Sequence, residues 1–263
     1  MPEGDTIFRA ATVMRRWLQG REITAASTAV ADLPAHKLVG QTVEGIEARG
    51  KHLLLRLSSG QVLHTHMRMT GSWHVYRKGE PWQRPAWQLR IVLECGDRVA
   101  ACFNAPVVEL LAAGMETLHP SLAGLGPDVL VEPVTLDDVR RRARTLDPST
   151  EIGDVLLDQR VVSGIGNIYR AESLFIERVD PFTPLAAIDD ATLDRLVLTA
   201  ARIMGRNARP GAPATRDFER GRSGPWVYGR ANRPCYRCRT LIKARRTGND
   251  ARTVYWCPSC QSP

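Results

Sequence analysis

VVSGIGNIYRAESLF, residues Val161 to Phe175, is the stretch that decides how this chain folds. Ser163 to Asn167 spells a tight turn, SGIGN, between two short helical patterns, Ile152 to Gln159 and Ile168 to Ile176. The two glycines let the backbone approach a ligand closely, and Asn167 lies at the start of the helix that follows. Exposed N–H groups at a helix start, with the positive end of the helix dipole, suit a phosphate. An ordinary helix–turn–helix corner with Asn167 as N-cap is the alternative.

Helical periodicity extends on both sides of this turn. Thr135 with Asp138 three residues on is a capping-box variant opening the run DDVRRRAR. Asp189 or Asp190 can cap a helix with Leu193, Leu196, Val197, Ala200 and Met204 on one face, so the helical domain reaches about Asn207. Arg209 to Gly224, rich in Gly, Pro and Arg, is expected to be a mobile loop, and Leu122 to Pro133 to be an interdomain linker.

Before the linker the period changes to that of strands: Thr42 to Ala48, Leu53 to Leu57, Gln61 to Met67, Ser72 to Tyr76, Gln88 to Leu93 and Val99 to Phe103. Short strands at this spacing suggest an antiparallel sandwich. Asp5 to Leu18 precedes them with apolar residues at Ile7, Ala10, Ala11, Met14 and Leu18, a helix with one buried face that holds the terminus in place. There is no internal repeat.

Cys235, Cys238, Cys257 and Cys260 form two CxxC pairs with 18 residues between them. A zinc ion takes four thiolates in a tetrahedron, and each CxxC turn offers two. Two redox pairs or free thiols are the competing explanation. A site closed by four protein ligands is structural, so the module presents something else: its basic residues Arg237, Arg239, Lys243, Arg245, Arg246 and Arg252. Cys95 and Cys102 sit in an apolar, strand-like run and are expected to be buried thiols.

Lys+Arg of 36 against Asp+Glu of 28 leaves a net charge of +8 over 263 residues, which favours a polyanionic partner through counterion release. The terminus MPEGDTIFRA has no apolar signal-peptide core, and no later stretch approaches 18 uninterrupted apolar residues. A cytoplasmic protein without membrane attachment is expected. Removal of Met1 before the small residue Pro2 would leave a free secondary amine followed by Glu3. An α-amino group has a pKa of roughly 8, so part of it is unprotonated near neutrality and can attack a carbonyl-like carbon, while the carboxylate moves protons. An inert, frayed terminus is the bland alternative.

MPEG at the terminus, RGKHLL at Arg49 to Leu54, HMRMTG at His66 to Gly71, Val161 to Phe175 and the finger ending TVYWCPSCQ together resemble the formamidopyrimidine-DNA glycosylase / endonuclease VIII family. They fall in the family's order across nearly the whole chain. The resemblance implies an α+β protein with an N-terminal antiparallel β-sandwich and leading helix, a C-terminal helix–two-turn–helix domain and a β-hairpin zinc finger. The expected boundaries are 1–120 for the catalytic sandwich, 121–134 for the linker, 135–225 for the helical DNA-binding domain and 226–263 for the finger.

Carried onto this sequence, the resemblance makes Pro2 the nucleophile that attacks C1′ of a damaged nucleoside and Glu3 the proton-transferring acid/base. Lys51, Asn167 and Arg252 match phosphate-binding residues, with His66 assisting, and Lys51 is also counted with the catalytic set. Met69 matches the side chain that fills the void left by the damaged base. CFNAPVVEL, where the formamidopyrimidine type carries an Arg and a Phe, contains no arginine, and the region between Asn207 and Trp226 is short for a lesion-capping loop. These departures favour the endonuclease VIII branch and oxidised pyrimidines. The expected partner is damaged DNA, with one structural zinc, no small-molecule cofactor and a monomeric state. An 8-oxoguanine/formamidopyrimidine-preferring enzyme, a non-catalytic damaged-DNA-binding homologue and a zinc-ribbon RNA-binding protein are the rivals.

Overall fold

The computed structural model describes residues 2–131, 133–208, 215, 224–247 and 252–262. The chain forms two compact units, Met1–Gly124 and Leu125–Pro263. The fold is α+β.

Unit 1 opens with α1, Gly4–Leu18, which buries Ile7, Ala11, Met14 and Leu18, a stripe at helical spacing. Eight strands follow: β1 Ala25–Thr28, β2 Val43–Arg49, β3 His52–Leu57, β4 Val62–His66, β5 Ser72–Arg77, β6 Leu89–Cys95, β7 Arg98–Phe103 and β8 Val107–Leu111. They form two antiparallel four-stranded sheets, β1-β6-β7-β5 and β2-β3-β4-β8. Leu53, Leu55, Leu57, Leu63 and Val108 from one sheet meet Ile91, Leu93, Cys95, Ala100 and Cys102 from the other and the buried stripe of α1 in a single core. Both Cys95 and Cys102 are buried thiols, as expected.

Strands alternate their side chains between faces, so the register fixes what the reverse side of the second sheet carries. His52 pairs with His66, and Leu54 with His64. His64 in turn pairs with Glu109 of β8. Strands β1 and β8 are absent from the expected set. AAST has no large apolar residue to mark it, and VVELL lacks the alternation of a half-buried strand.

Unit 2 contains α2 Leu136–Ala143, α3 Ile152–Val155, α4 Asn167–Ile176 and α5 Asp190–Asn207, then the antiparallel pair β9 Lys243–Thr247 and β10 Arg252–Trp256. Val139, Ile152, Leu156, Val162, Ile165, Leu193, Leu196, Ala200 and Met204 make its main core. Asp189 caps α5, its Oδ1 accepting from the Thr192 N–H at 2.8 Å. Thr135 makes no such bond, and Asp138 instead pairs with Arg141 and Arg142 on its own helix. The first helix of the turn stops at Val155, short of the expected Gln159. Gln159 is spent on the turn: its amide donates to the Leu157 and Ile165 carbonyls at 2.8 and 3.0 Å and its Oε1 accepts from Gly164 N–H at 3.1 Å. Gly164 has φ +98°, which only glycine adopts readily. The loop expected over Arg209 to Gly224 lies, apart from Thr215 and Gly224, outside the described residues. Among the described residues no helix is long and apolar enough to cross a membrane.

Candidate functional site

In unit 1 the chain start is pinned by α1. Glu3 precedes the helix, is 1% exposed, and its carbonyl accepts from the N–H groups of Thr6 and Ile7 at 3.0 and 3.2 Å. Its side chain does not cap the helix, yet it lies by the positive end of the α1 dipole, where a carboxylate is favoured. Pro2 beside it is half-buried. Met1, whose removal the nucleophile requires, lies outside the described residues.

Lys51 sits at the tip of the β2–β3 hairpin, whose closing pair is Arg49 and His52. The two-residue loop is Gly50-Lys51, and Gly50 has φ +60° while Lys51 does not enter the left-handed region, the conformation of a type II′ turn. His66 ends β4 directly across from His52, their rings 4.6 Å apart. Burial, then the charge of Lys51, lowers the His66 pKa to about 4; burial, then His66, lowers His52 to about 2. Both imidazoles are therefore neutral at pH 7, and the formal positive charge at this edge belongs to Lys51 and the arginines.

Met69 projects from the turn between β4 and β5 and is 65% exposed. The turn is held by the Gly71 N–H, which donates to the Met67 carbonyl at 2.8 Å, and by Thr70 Oγ1, which donates to the Asn104 carbonyl at 3.4 Å. Asn104 belongs to the three residues that join β7 to β8, so CFNAPVVEL is two strands and a short link.

In unit 2, α4 and the finger are joined by polar contacts. Gly166 is the N-cap of α4 and Asn167 its first helical residue, which corrects the reading of Asn167 as the cap. The Asn167 amide donates to the Thr253 carbonyl of β10 at 3.0 Å. Arg170, buried, donates to Asn167 Oδ1 and to the Thr253 carbonyl. Buried Glu172 accepts from the N–H groups of Trp226, Val227 and Tyr228 at 2.7, 2.9 and 2.9 Å and from the Thr215 hydroxyl. Arg252 is exposed at the start of β10, next to the residue that Asn167 holds.

Sulfurs of Cys235, Cys238, Cys257 and Cys260 all lie within 4.8 Å of one another, so the four cysteines can hold a metal. The Cys235–Cys260 and Cys238–Cys257 separations, 4.0 and 3.4 Å, bracket the edge of about 3.8 Å that follows from zinc–sulfur bonds near 2.3 Å. Gln261 ties this cluster to the segment after α4: it accepts from Cys257 N–H and donates to the Val179 carbonyl, both at 2.9 Å. Arg237 and Arg245 are engaged inward. Arg237 donates to the Phe175 carbonyl at 3.0 Å and lies over the Phe175 ring, and Arg245 lies over Phe182 and 3.7 Å from Glu151.

Pro2, Glu3, Lys51, His66 and Met69 thus belong to unit 1, and Asn167, Arg252 and the four cysteines to unit 2. The sequence reading missed the partners that fix these residues: His52 and His64 in unit 1, Arg170 and Glu172 in unit 2. Their signal was present as charged or titratable residues at positions otherwise apolar, such as RAE inside the helix Asn167–Ile176.

Residues 1–106 match the formamidopyrimidine-DNA glycosylase N-terminal domain, and residues 125–219 the formamidopyrimidine-DNA glycosylase H2TH domain. The chain is 37% identical to a probable endonuclease 8 2 of Streptomyces coelicolor, over all of this chain and 94% of that protein. It is also 37% identical to the DNA-(apurinic or apyrimidinic site) lyase Nei2 of Mycolicibacterium smegmatis, over 100% of this chain and 99% of that one. Among solved structures, Lactococcus lactis Fpg in complex with an N7-benzyl-Fapy-dG DNA has a TM-score of 0.83 at 20% identity, covering all of both chains. The same protein with an abasic-site DNA has a TM-score of 0.81 at 21% identity, again over all of both chains. At such identities these structures establish the likeness of fold.

Proposed function

Because the chain belongs to the formamidopyrimidine-DNA glycosylase family, we propose that it is a bifunctional DNA glycosylase and AP lyase of base excision repair, acting on oxidised bases and foremost on oxidised pyrimidines. The observation that carries the chemistry is the start of α1, where the buried carboxylate of Glu3 adjoins the half-buried Pro2. Relatives named endonuclease 8 and AP lyase support both the activity and the branch.

With Met1 removed, the lone pair of the Pro2 nitrogen attacks C1′ and the glycosidic bond breaks. Glu3 moves the protons that let the base depart and then let O4′ leave C1′ as the sugar ring opens, so that an iminium joins Pro2 to C1′. The iminium makes the C2′ proton acidic; its loss expels the 3′ phosphate, and a second elimination expels the 5′ phosphate. Lys51, with His66, and the pair Asn167 and Arg252 hold backbone phosphates around the lesion, and Met69 occupies the emptied place in the stack. The four cysteines hold one structural zinc, through which no chemical step passes. The domain division is 1–120 for catalysis, 121–134 as linker, 135–225 for the helical DNA clamp and 226–263 for the finger. The enzyme works as a monomer in the cytoplasm, on chromosomal DNA, without a small-molecule cofactor.

Borohydride trapping on abasic DNA tests the proposal. Mass spectrometry of the digested adduct is expected to place the DNA on a peptide beginning at Pro2; DNA on a peptide containing Lys51, with Pro2 free, overturns the nucleophile. Glu3→Gln is expected to abolish base excision while leaving some cleavage at preformed abasic sites. Thymine glycol or dihydrouracil should be cut faster than 8-oxoguanine opposite cytosine, and the reverse ranking moves the chain to the other branch.

A further inference from the structure

The reverse face of the sheet β2-β3-β4-β8 gathers three metal-binding side chains that the repair chemistry leaves unused. His64 Nδ1 lies 2.7 Å from Glu109 Oε1, and His119 Nε2 lies 3.0 Å from the same oxygen. The three ligand atoms all fall within 4.8 Å of one another. We propose that His64, Glu109 and His119 form a second metal site, for a divalent ion of zinc-like preference, separate from the four cysteines.

Register alone makes His64 and Glu109 neighbours, since they are directly opposed across β4 and β8. His119 is supplied by the segment that follows the short 3-10 turn Met115–Thr117. Two imidazole nitrogens and one carboxylate oxygen suit zinc and its neighbours in the first transition row, with the fourth position left to water. Each imidazole is also oriented from behind, as metal-binding histidines are. His64 Nε2 lies 2.8 Å from His52 Nδ1, and His119 Nδ1 lies 3.0 Å from Ser121 Oγ.

Without an ion, the inner nitrogens carry their protons and share Glu109 Oε1 as acceptor. An ion displaces those protons to the outer nitrogens: His64 Nε2–H then donates to His52 Nδ1, whose own proton shifts to His52 Nε2, and His119 Nδ1–H donates to Ser121 Oγ, giving up the 3.3 Å bond it accepted from the Ser121 N–H, so each imidazole stays neutral. Bonds of about 2.0 to 2.1 Å set a tetrahedral edge of about 3.3 Å, so the ligands part by a few tenths of an ångström. Entry is open: the Glu109 and His119 side chains are 39% and 20% exposed, against 1% for His64. An ion there would staple the segment after β8 to the middle of the sheet and add positive charge to the face that carries His66.

Metal content of the full-length protein, measured by plasma mass spectrometry after equilibration with micromolar zinc and dialysis, is the test. The wild type is expected to hold one equivalent more than the cysteine cluster, and His119→Gln and Glu109→Gln each to lose that equivalent alone. Cys257→Ser should keep it, which separates this site from the finger. Cobalt(II) in the extra site should give visible absorption without the near-ultraviolet band of a thiolate ligand. The proposal is overturned if no extra equivalent binds, if it persists in both the His119 and Glu109 variants, or if its cobalt spectrum carries the thiolate band.

Discussion

Asn167, the first residue of α4, and Thr253, in the finger strand β10, are joined by a side-chain amide to main-chain carbonyl hydrogen bond of 3.0 Å. The bond fixes the backbone beside Arg252 relative to the α4 N-terminus, so two phosphate-binding candidates from distant parts of the chain are held side by side. Asn167→Ala should weaken binding to undamaged and damaged duplexes alike, by roughly tenfold, the scale of one hydrogen bond lost with its geometry. In an Arg252→Ala background the same change should cost less than it does alone. Fluorescence anisotropy on the two single variants and the double variant reads the coupling; strictly additive losses refute it. Arg252→Ala by itself should lower the slope of log affinity against log salt by about one.

Glu172 makes a second join, between α4 and the segment leading into the finger. Burial pushes its carboxyl pKa up, while the Thr215 hydroxyl and three backbone N–H groups pull it back down. Glu172→Ala strands those buried donors, and a loss of about 3 kcal/mol or more is expected, since each unsatisfied group costs roughly 1 to 3 kcal/mol. Glu172→Gln keeps one carbonyl oxygen for Val227 and Tyr228 but turns an amino group toward other donors, and should cost an intermediate amount. Denaturant titration ranks the three proteins; equal stability of wild type and Ala variant would remove the anchoring role.

Acid sensitivity follows from the histidines of unit 1. His52 and His66 titrate at about 2 and about 4 in the fold, and His64 is lowered mainly by burial, whereas an unfolded imidazole titrates near 6.5. Below pH 6.5 the unfolded chain therefore binds more protons than the folded one, and stability falls as pH falls. Across the window from pH 6.5 to 5 the ordinary carboxylates remain ionised, while Glu172 and Glu151, raised by burial, act in the opposite direction, so the histidine contribution is read from the difference between wild type and variant. Melting temperature should drop across that window, and His52→Asn should flatten the drop; an unchanged slope in the variant would exclude His52 as a contributor.

Loss of metal should reach beyond the cysteines, because Gln261 bridges Cys257 and the Val179 carbonyl. Cys257→Ser is expected to lose the finger's metal and most DNA affinity together. Gln261→Ala should retain metal but bind DNA more weakly, its finger no longer braced. Elemental analysis paired with anisotropy separates the two; a Cys257→Ser protein that binds DNA normally would show that the finger's shape does not need the metal.

Much of this was legible from residues whose role is local. The α1 stripe, six of the eight sandwich strands, a cap at Asp189 or Asp190 and both CxxC turns follow from spacing alone, because periodicity and turn chemistry act over a few residues. What escaped depends on partners far along the chain. Nothing in NIYRAE says that Asn167 will give its amide to a carbonyl 86 residues away, as it does, rather than cap its own helix. The threonine at position 135 makes no side-chain cap bond, and the Asp138 carboxylate pairs with Arg141 and Arg142 on its own helix. Likewise the histidines at 52, 64 and 66 become one cluster only once the β3–β4 register is set.

The turn that carries Met69 has an energetic meaning of its own. A methionine that is 65% exposed keeps most of its thioether chain in water, a standing cost on the order of 1 to 2 kcal/mol beside a buried one. Bonds at Gly71 and Thr70 hold that turn in place. On the proposed role of Met69, the apolar surface it leaves in water would be buried on entering a base stack, and that burial would offset part of the cost of unstacking. Under that proposal the turn is shaped at folding, and an encounter with DNA need not first order the segment that carries the side chain.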